Sequence, residues 1–189
     1  MVAGCLSGHA MRIDAGQFEQ VLAAHQRMVF SIALHSVRDR ALAEDVTQDV
    51  FMALLQHGAE IESEEHLVHW LRRVTTRRCI DQLRRQRWRR WLPLVDSDAA
   101  GLVVANGADM DPLLADRLQK TLRGLAPIER VALVLRYQEE LDAAAIGKVL
   151  GLSSDAVNKH LRRALARLKV RLSGTARPQS AQAACEPQD

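Results

Sequence analysis

Residues 141–172, LDAAAIGKVLGLSSDAVNKHLRRALARLKVRL, leave little freedom in how they fold. Ile146, Val149 and Leu150 share one helical face, and Asp142 stands where a side chain would cap the start of that helix. Gly151 falls just past its end, where a left-handed backbone costs glycine little. Leu152 plugs the turn. Ser153 is placed to cap a second helix, on which Val157, Leu161, Leu165 and Leu168 recur at helical spacing and hold it against the first. Between Ala156 and Leu172 stand six cations (Lys159, Arg162, Arg163, Arg167, Lys169 and Arg171) and no acid. A helix with an apolar back and a cationic front, entered through a glycine turn, fits the major groove of DNA. The plain alternative is an ordinary helical hairpin with a solvated basic face; the agreement of apolar spacing, turn, caps and charge favours DNA binding.

The rest of the chain is blocked by charge. The net charge is only +3, but residues 1–71 hold ten acids against four arginines, residues 72–90 hold nine arginines and one acid (Asp81), and residues 91–116 hold five aspartates and no cation. Such asymmetry points to separate contact faces, one of them for a polyanion. Helical periodicity marks Phe18–Ala33, Leu42–Leu55 and Leu67–Leu83, the last running into the arginine block and ending at Pro93. Residues 93–111 have no steady period and read as a linker. Asp111 and Pro112, a cap followed by proline at the first helical position, open a second unit.

No strand alternation appears, so the expected fold is all-α. Two small helical domains, residues 14–92 and 112–173, are joined by the flexible linker 93–111 and followed by a disordered tail, 174–189; the second domain holds the helix-turn-helix. Cys5, Cys79 and Cys185 share no motif, and Cys79 is expected on a helix as a small core or boundary residue, which suits a reducing cytoplasm. No apolar stretch approaches the length needed to cross a bilayer.

Four segments in order carry a resemblance. LAPIERVALVLRY (125–137), followed by the two-helix element, resembles the promoter-recognising C-terminal domain of sigma-70-type RNA polymerase initiation factors. AEDVTQDVFMALLQ (43–56) resembles their polymerase-binding helix, and WLRRVTTRRCIDQLRRQRWRR (70–90) the helix that meets the opened promoter element. The short two-domain layout resembles the extracytoplasmic-function group. The resemblance implies an alternative sigma factor that binds core RNA polymerase, directs promoter recognition and helps to open DNA in the bacterial cytoplasm. Its partners would be core polymerase and promoter DNA, with room for an anti-sigma factor. It implies no cofactor, no metal, no small-molecule substrate and no catalytic residue, since bond formation belongs to the polymerase.

Residue readings stand beside the resemblance. On the helix over 42–57, Leu42, Val46, Val50 and Leu54 face the core, which turns Asp45, Gln48, Asp49 and Met52 outward. An acidic and amide face with one soft methionine suits a basic protein partner, and the resemblance assigns it to polymerase. In the arginine block, Arg77, Arg78, Asp81, Arg84 and Arg85 are the candidate DNA contacts; so dense a run is favoured by phosphate through counterion release. Trp88 and Trp91 suit stacking on unpaired bases or, equally, a hydrophobic clasp at the helix end. On the second helix of the DNA element, Ser154, Asp155, Asn158, Lys159, Arg162 and Arg163 are the candidates at or near the groove. The Asn158 amide suits an adenine edge, while Arg167 and Lys169 are expected nearer the backbone. Arg77 stands where the family often has asparagine, and Gly147 where it usually has alanine.

Two other function classes compete. One is a helix-turn-helix DNA-binding regulator that never joins polymerase, and the other an adaptor whose basic helices are incidental. An enzyme finds little support: His66 and His69 lack a third ligand at metal spacing, and there is no glycine-rich phosphate loop or nucleophile elbow.

Overall fold

A computed structural model describes residues 15–57, 61, 63–89 and 111–173 of the chain. Among them lie seven α-helices and no strand: α1 (Ala15–Val37), α2 (Arg40–His57), α3 (Glu64–Arg89), α4 (Pro112–Gly124), α5 (Pro127–Tyr137), α6 (Ala143–Leu150) and α7 (Ser154–Ser173). The expected linker at 93–111 lies, but for Asp111, outside the described residues, as do Trp91 and the tail.

The first unit is α1, α2 and α3. Its α1–α2 turn is made by Arg38, which takes a left-handed φ of 58° and donates its N–H to Leu34 O at 2.8 Å. Asp39 then caps α2, its Oδ1 accepting from Leu42 N at 3.1 Å. Ser63 does the same for α3, accepting from His66 N at 3.1 Å, and Glu64 and Glu65 in the first turn complement the helix dipole. Val29, Ile32 and Ala33 of α1, Val46, Val50 and Leu54 of α2, and Leu67, Leu71, Cys79 and Leu83 of α3 are buried together, with Ile61 closing one end. Thr75 and Thr76 are buried too, and their hydroxyls return to Leu71 O at 2.6 Å and Arg73 O at 3.0 Å, which removes the cost of hiding them. Burial pushes the Cys79 thiol up to about 12, so the group stays neutral in the core.

The second unit is α4 to α7. Asp111 caps α4, accepting from Leu113 N at 3.0 Å. α5 is its central post, with residues 129–135 all buried. Asp142 caps α6, accepting from Ala145 N at 2.7 Å, and Gly151 ends it at φ 69°. Ser153 caps α7, accepting from Ala156 N at 3.2 Å. A Cβ on Gly147 would stand 2.6 Å from Leu152 O, a backbone atom, so the turn needs glycine there rather than tolerating it. The apolar stripe of α7 is narrower than its spacing suggests. Val157, Leu161 and Ala164 are buried, but Leu165 is exposed.

The two units share a seam. α3 packs against α5 and α6, and α1 against α5. Arg72 on α3 donates Nε at 3.1 Å and Nη2 at 2.8 Å to Glu139 Oε2, a pair mostly withdrawn from water. Arg130 on α5, only 6% exposed, donates Nη1 to Ser36 O at 3.2 Å and Nη2 to Arg123 O at 2.8 Å.

Candidate nucleic-acid interface

α7 presents its polar face as a stripe. Ser154, Asp155, Asn158, Lys159, Arg162 and Arg163 are all exposed and lie opposite Val157, Leu161 and Ala164. Helix geometry puts them on one side for a simple reason: positions three and four apart stack above one another, and 154, 158 and 162 alternate with 155, 159 and 163. Among the described residues none of Lys159, Arg162, Arg163, Lys169 or Arg171 has a carboxylate within ion-pair distance. Arg167 is different. Its Nη1 lies 3.0 Å from Glu129 Oε2, a side chain only 5% exposed that also accepts Ala126 N at 3.1 Å. Arg167 thus covers a buried carboxylate at the start of α5 while its own side chain stays 56% exposed.

α3 carries a second stripe. Arg77, Arg84 and Arg85 are exposed, Arg78 and Asp81 half-buried, and the spacing puts Arg77, Asp81, Arg84 and Arg85 on one face, away from Thr75 and Cys79, with Arg78 at its edge in line with the buried Leu71. Arg84 Nη1 approaches Asp81 Oδ1 at 3.8 Å, a loose pair. Arg78 Nη1 donates to Asp49 Oδ2 at 2.8 Å. That contact ties a candidate DNA residue to a candidate polymerase residue, so the two faces adjoin. Trp88 is 76% exposed.

α2 turns Asp45, Gln48, Asp49 and Met52 outward, with Val46, Val50 and Leu54 behind them. Beside this face lies a shallow groove of about 360 Å³ lined by Phe18, Leu22, Phe30, Phe51, Met52 and Leu55 among others. Phe18 and Phe51 meet edge to face at 6.3 Å. Leu55 is 56% exposed. The signal for an apolar contact face was present: Phe51, Met52, Leu54 and Leu55 make a run wider than a single buried stripe requires.

The family model described as Sigma-70 region 2 matches residues 21–89, and that described as Sigma-70, region 4 matches residues 115–168. The RNA polymerase sigma factor CarQ of Myxococcus xanthus is 30% identical over 157 residues, covering 80% of this chain and 87% of CarQ. A probable RNA polymerase sigma factor, RfaY of Xanthomonas campestris pv. campestris, is 32% identical over 161 residues; that match covers 80% of this chain but only 39% of RfaY. Among solved structures, the sigma factor RpoE of Bartonella quintana, in complex with the anti-sigma factor NepR, superposes with a TM-score of 0.63 at 21% identity, covering 84% of this chain and 98% of RpoE. At that identity the superposition speaks for the fold.

Proposed function

This chain belongs to the sigma-70 family of RNA polymerase sigma factors, in its extracytoplasmic-function group, and from that premise we propose how it works. As an alternative sigma factor it directs transcription initiation. Core polymerase docks on α2, where Asp45, Gln48, Asp49 and Met52 offer an acidic and amide rim beside the apolar groove. An acidic rim steers a basic partner, and the groove supplies the area that holds it.

The α7 stripe enters the major groove of one promoter element. Asn158 reads a base edge, while Lys159, Arg162 and Arg163 engage base edges or flanking phosphates. The α3 stripe, Arg77, Arg78, Asp81, Arg84 and Arg85, meets the second element near the point of opening, with Trp88 exposed at its end for stacking. The chain itself makes and breaks no bonds, and it acts in the cytoplasm. What supports this reading most is one observation: two cationic stripes stand on separate domains, and neither shares its face with the exposed acidic rim of α2 except at Arg78–Asp49.

The test is to sequence transcripts made by core polymerase on genomic DNA with and without the purified chain. New start sites sharing two upstream elements are expected. Tight DNA binding by the free chain with no new transcripts would return the protein to the class of regulators that never join polymerase.

A further inference from the structure

At the seam between the two domains, arginines from four segments converge on one small space. A cavity of about 50 Å³ is lined by Arg38 from the α1–α2 turn, Arg87 from α3, Arg123 from α4 and Arg130 from α5, with Asp39 and Gln86 beside them. That volume exceeds what one or two waters occupy, so a small ion fits and a nucleobase does not.

Among the described residues Asp39 is the single carboxylate on this wall of four arginines, and its Oδ1 already accepts from Leu42 N at 3.1 Å. Among the described residues no ion pair reaches Arg38, Arg87 or Arg123. Arg130 is held in place by two backbone carbonyls, Ser36 O and Arg123 O. Arg38 is the most telling member. Its Nε is buried and makes no hydrogen bond. Burial, and then the nearby Arg123, lower its pKa, yet a guanidinium does not give up its proton in a protein. The charge therefore remains, desolvated beside a second cation, and an anion is the group that would answer it. The backbone adds a second sign. Arg38 holds a left-handed φ of 58° at a helix end where glycine is the usual residue, and strain of this kind gathers at functional positions.

We propose that this seam is a binding site for a small tetrahedral oxyanion, a phosphate or a phosphomonoester, lodged between Arg38, Arg87, Arg123 and Arg130. Arg38 and Arg87 belong to the first domain and Arg123 and Arg130 to the second, so the bound ion bridges them. Occupancy therefore favours the packed arrangement of the two domains over one in which they separate to reach two promoter elements. A phosphate-type ligand thereby restrains the factor without touching α2 or α7.

Calorimetry on the full chain, at constant ionic strength held with chloride, tests this with two probes: inorganic phosphate and adenosine 5′-monophosphate. Saturable binding at a single site is expected for at least one of them. Equal affinities identify the free ion as sufficient, and binding of the nucleotide alone identifies an ester on a larger molecule. Arg87→Gln with Arg123→Gln should weaken binding about tenfold or more, as loss of charge-assisted contacts does. Arg27→Gln with Arg40→Gln removes the same charge from exposed positions of α1 and α2 and should leave affinity unchanged. Arg38→Gly relieves the left-handed strain, so that variant should keep or gain thermal stability while losing affinity, which separates binding from folding. Small-angle scattering should show the wild-type chain becoming more compact with the bound probe. No saturable binding of either probe, or equal affinity in the Arg87/Arg123 and Arg27/Arg40 variants, overturns the proposal.

Discussion

α3 and α7 carry similar densities of positive charge and use it differently. On α3, Arg72 is committed to Glu139 across the domain seam, Arg78 to Asp49 on α2, and Arg84 loosely to Asp81. On α7, among the described residues, only Arg167 has a carboxylate partner, Glu129. The cause is position in the fold. α3 lies in the middle of the molecule, with α1 and α2 on one side and α5 and α6 on the other, so acids from two directions reach its arginines. α7 lies at an edge and keeps one whole face open. Cation count along a helix thus measures its potential for a polyanion, and the packing around the helix decides how much of that potential stays available.

The largest expected effect breaks the α2–α3 link. Asp45→Arg with Asp49→Arg should abolish detectable binding to core polymerase, a loss of more than about 3 kcal/mol if both carboxylates meet cations of the partner. Helicity by circular dichroism should not change, since both side chains are exposed. The same variant leaves Arg78 without Asp49. That exposed pair is worth at most about 1 kcal/mol of stability, so the melting curve should barely move. Wild-type affinity for core polymerase would sink the assignment of this face.

The next effect concerns the inner side of α3. Glu139→Ala leaves the Arg72 guanidinium largely shielded from water with nothing to answer it, and should cost about 3 kcal/mol in urea unfolding. Asp49→Ala, which removes the half-exposed partner of Arg78 on the same helix, should cost several-fold less. Equal costs would mean that the seam is solvated and that the contrast between the two sides of α3 is false.

How far the sequence foretold these differences depends on the distance between partners. In the two-helix element, Asp142, Gly151 and Ser153 act within four residues of themselves, and their capping and turn roles were readable from order alone. The inward and outward positions of α2 followed from period, as Val46 and Val50 against Asp45 and Asp49 demonstrate. Leu55, Leu165 and Trp88 were less legible because period tells which face a residue occupies, but not whether another helix covers it. The seam was not legible at all. Arg72 meets Glu139 across 67 residues and Arg130 meets Ser36 across 94, and nothing local marks either pair. Gly147 carried its reason in the carbonyl of Leu152, a contact that exists only once the turn is made.

On α7 the comparison sharpens into base reading against backbone anchoring. Asn158→Ala should shift sequence preference at one or two positions of the bound element and cost about 2 kcal/mol there, the middle of the range for a bidentate amide contact. Lys169→Ala should instead weaken all sequences alike and lower the salt slope by about one unit. Arg167→Ala belongs to neither class. It uncovers the buried Glu129, so its first effect should be on unfolding rather than on DNA affinity. Binding of holoenzyme to a randomised element at several salt concentrations checks the first two. An unchanged preference in Asn158→Ala would rotate α7 away from the assumed approach to the groove.

The smallest effect tests whether the seam itself responds to pH. His69 sits on the inner side of α3, in a groove shared with α6. Burial first, and then Arg73, His66, Lys148 and Arg72, hold its pKa below the ordinary 6.5. Lys148 comes from the other domain, so a proton on His69 adds repulsion across the seam. The carboxylates facing it are Glu64 and Glu65, both exposed at the start of α3 and therefore well screened. A lowered folded-state pKa means that the unfolded chain takes up the proton first. The stabilisation linked to neutral His69 is complete above the unfolded value and drains away as pH falls through it towards the folded value. Urea midpoints measured from about pH 7.5 to about pH 5 should therefore fall more in the wild type than in His69→Gln, by a margin well below the Glu139 effect. A wild-type midpoint that rises on acidification relative to His69→Gln would show that Glu64 and Glu65, not Lys148 and the arginines, set the field at this end of the seam.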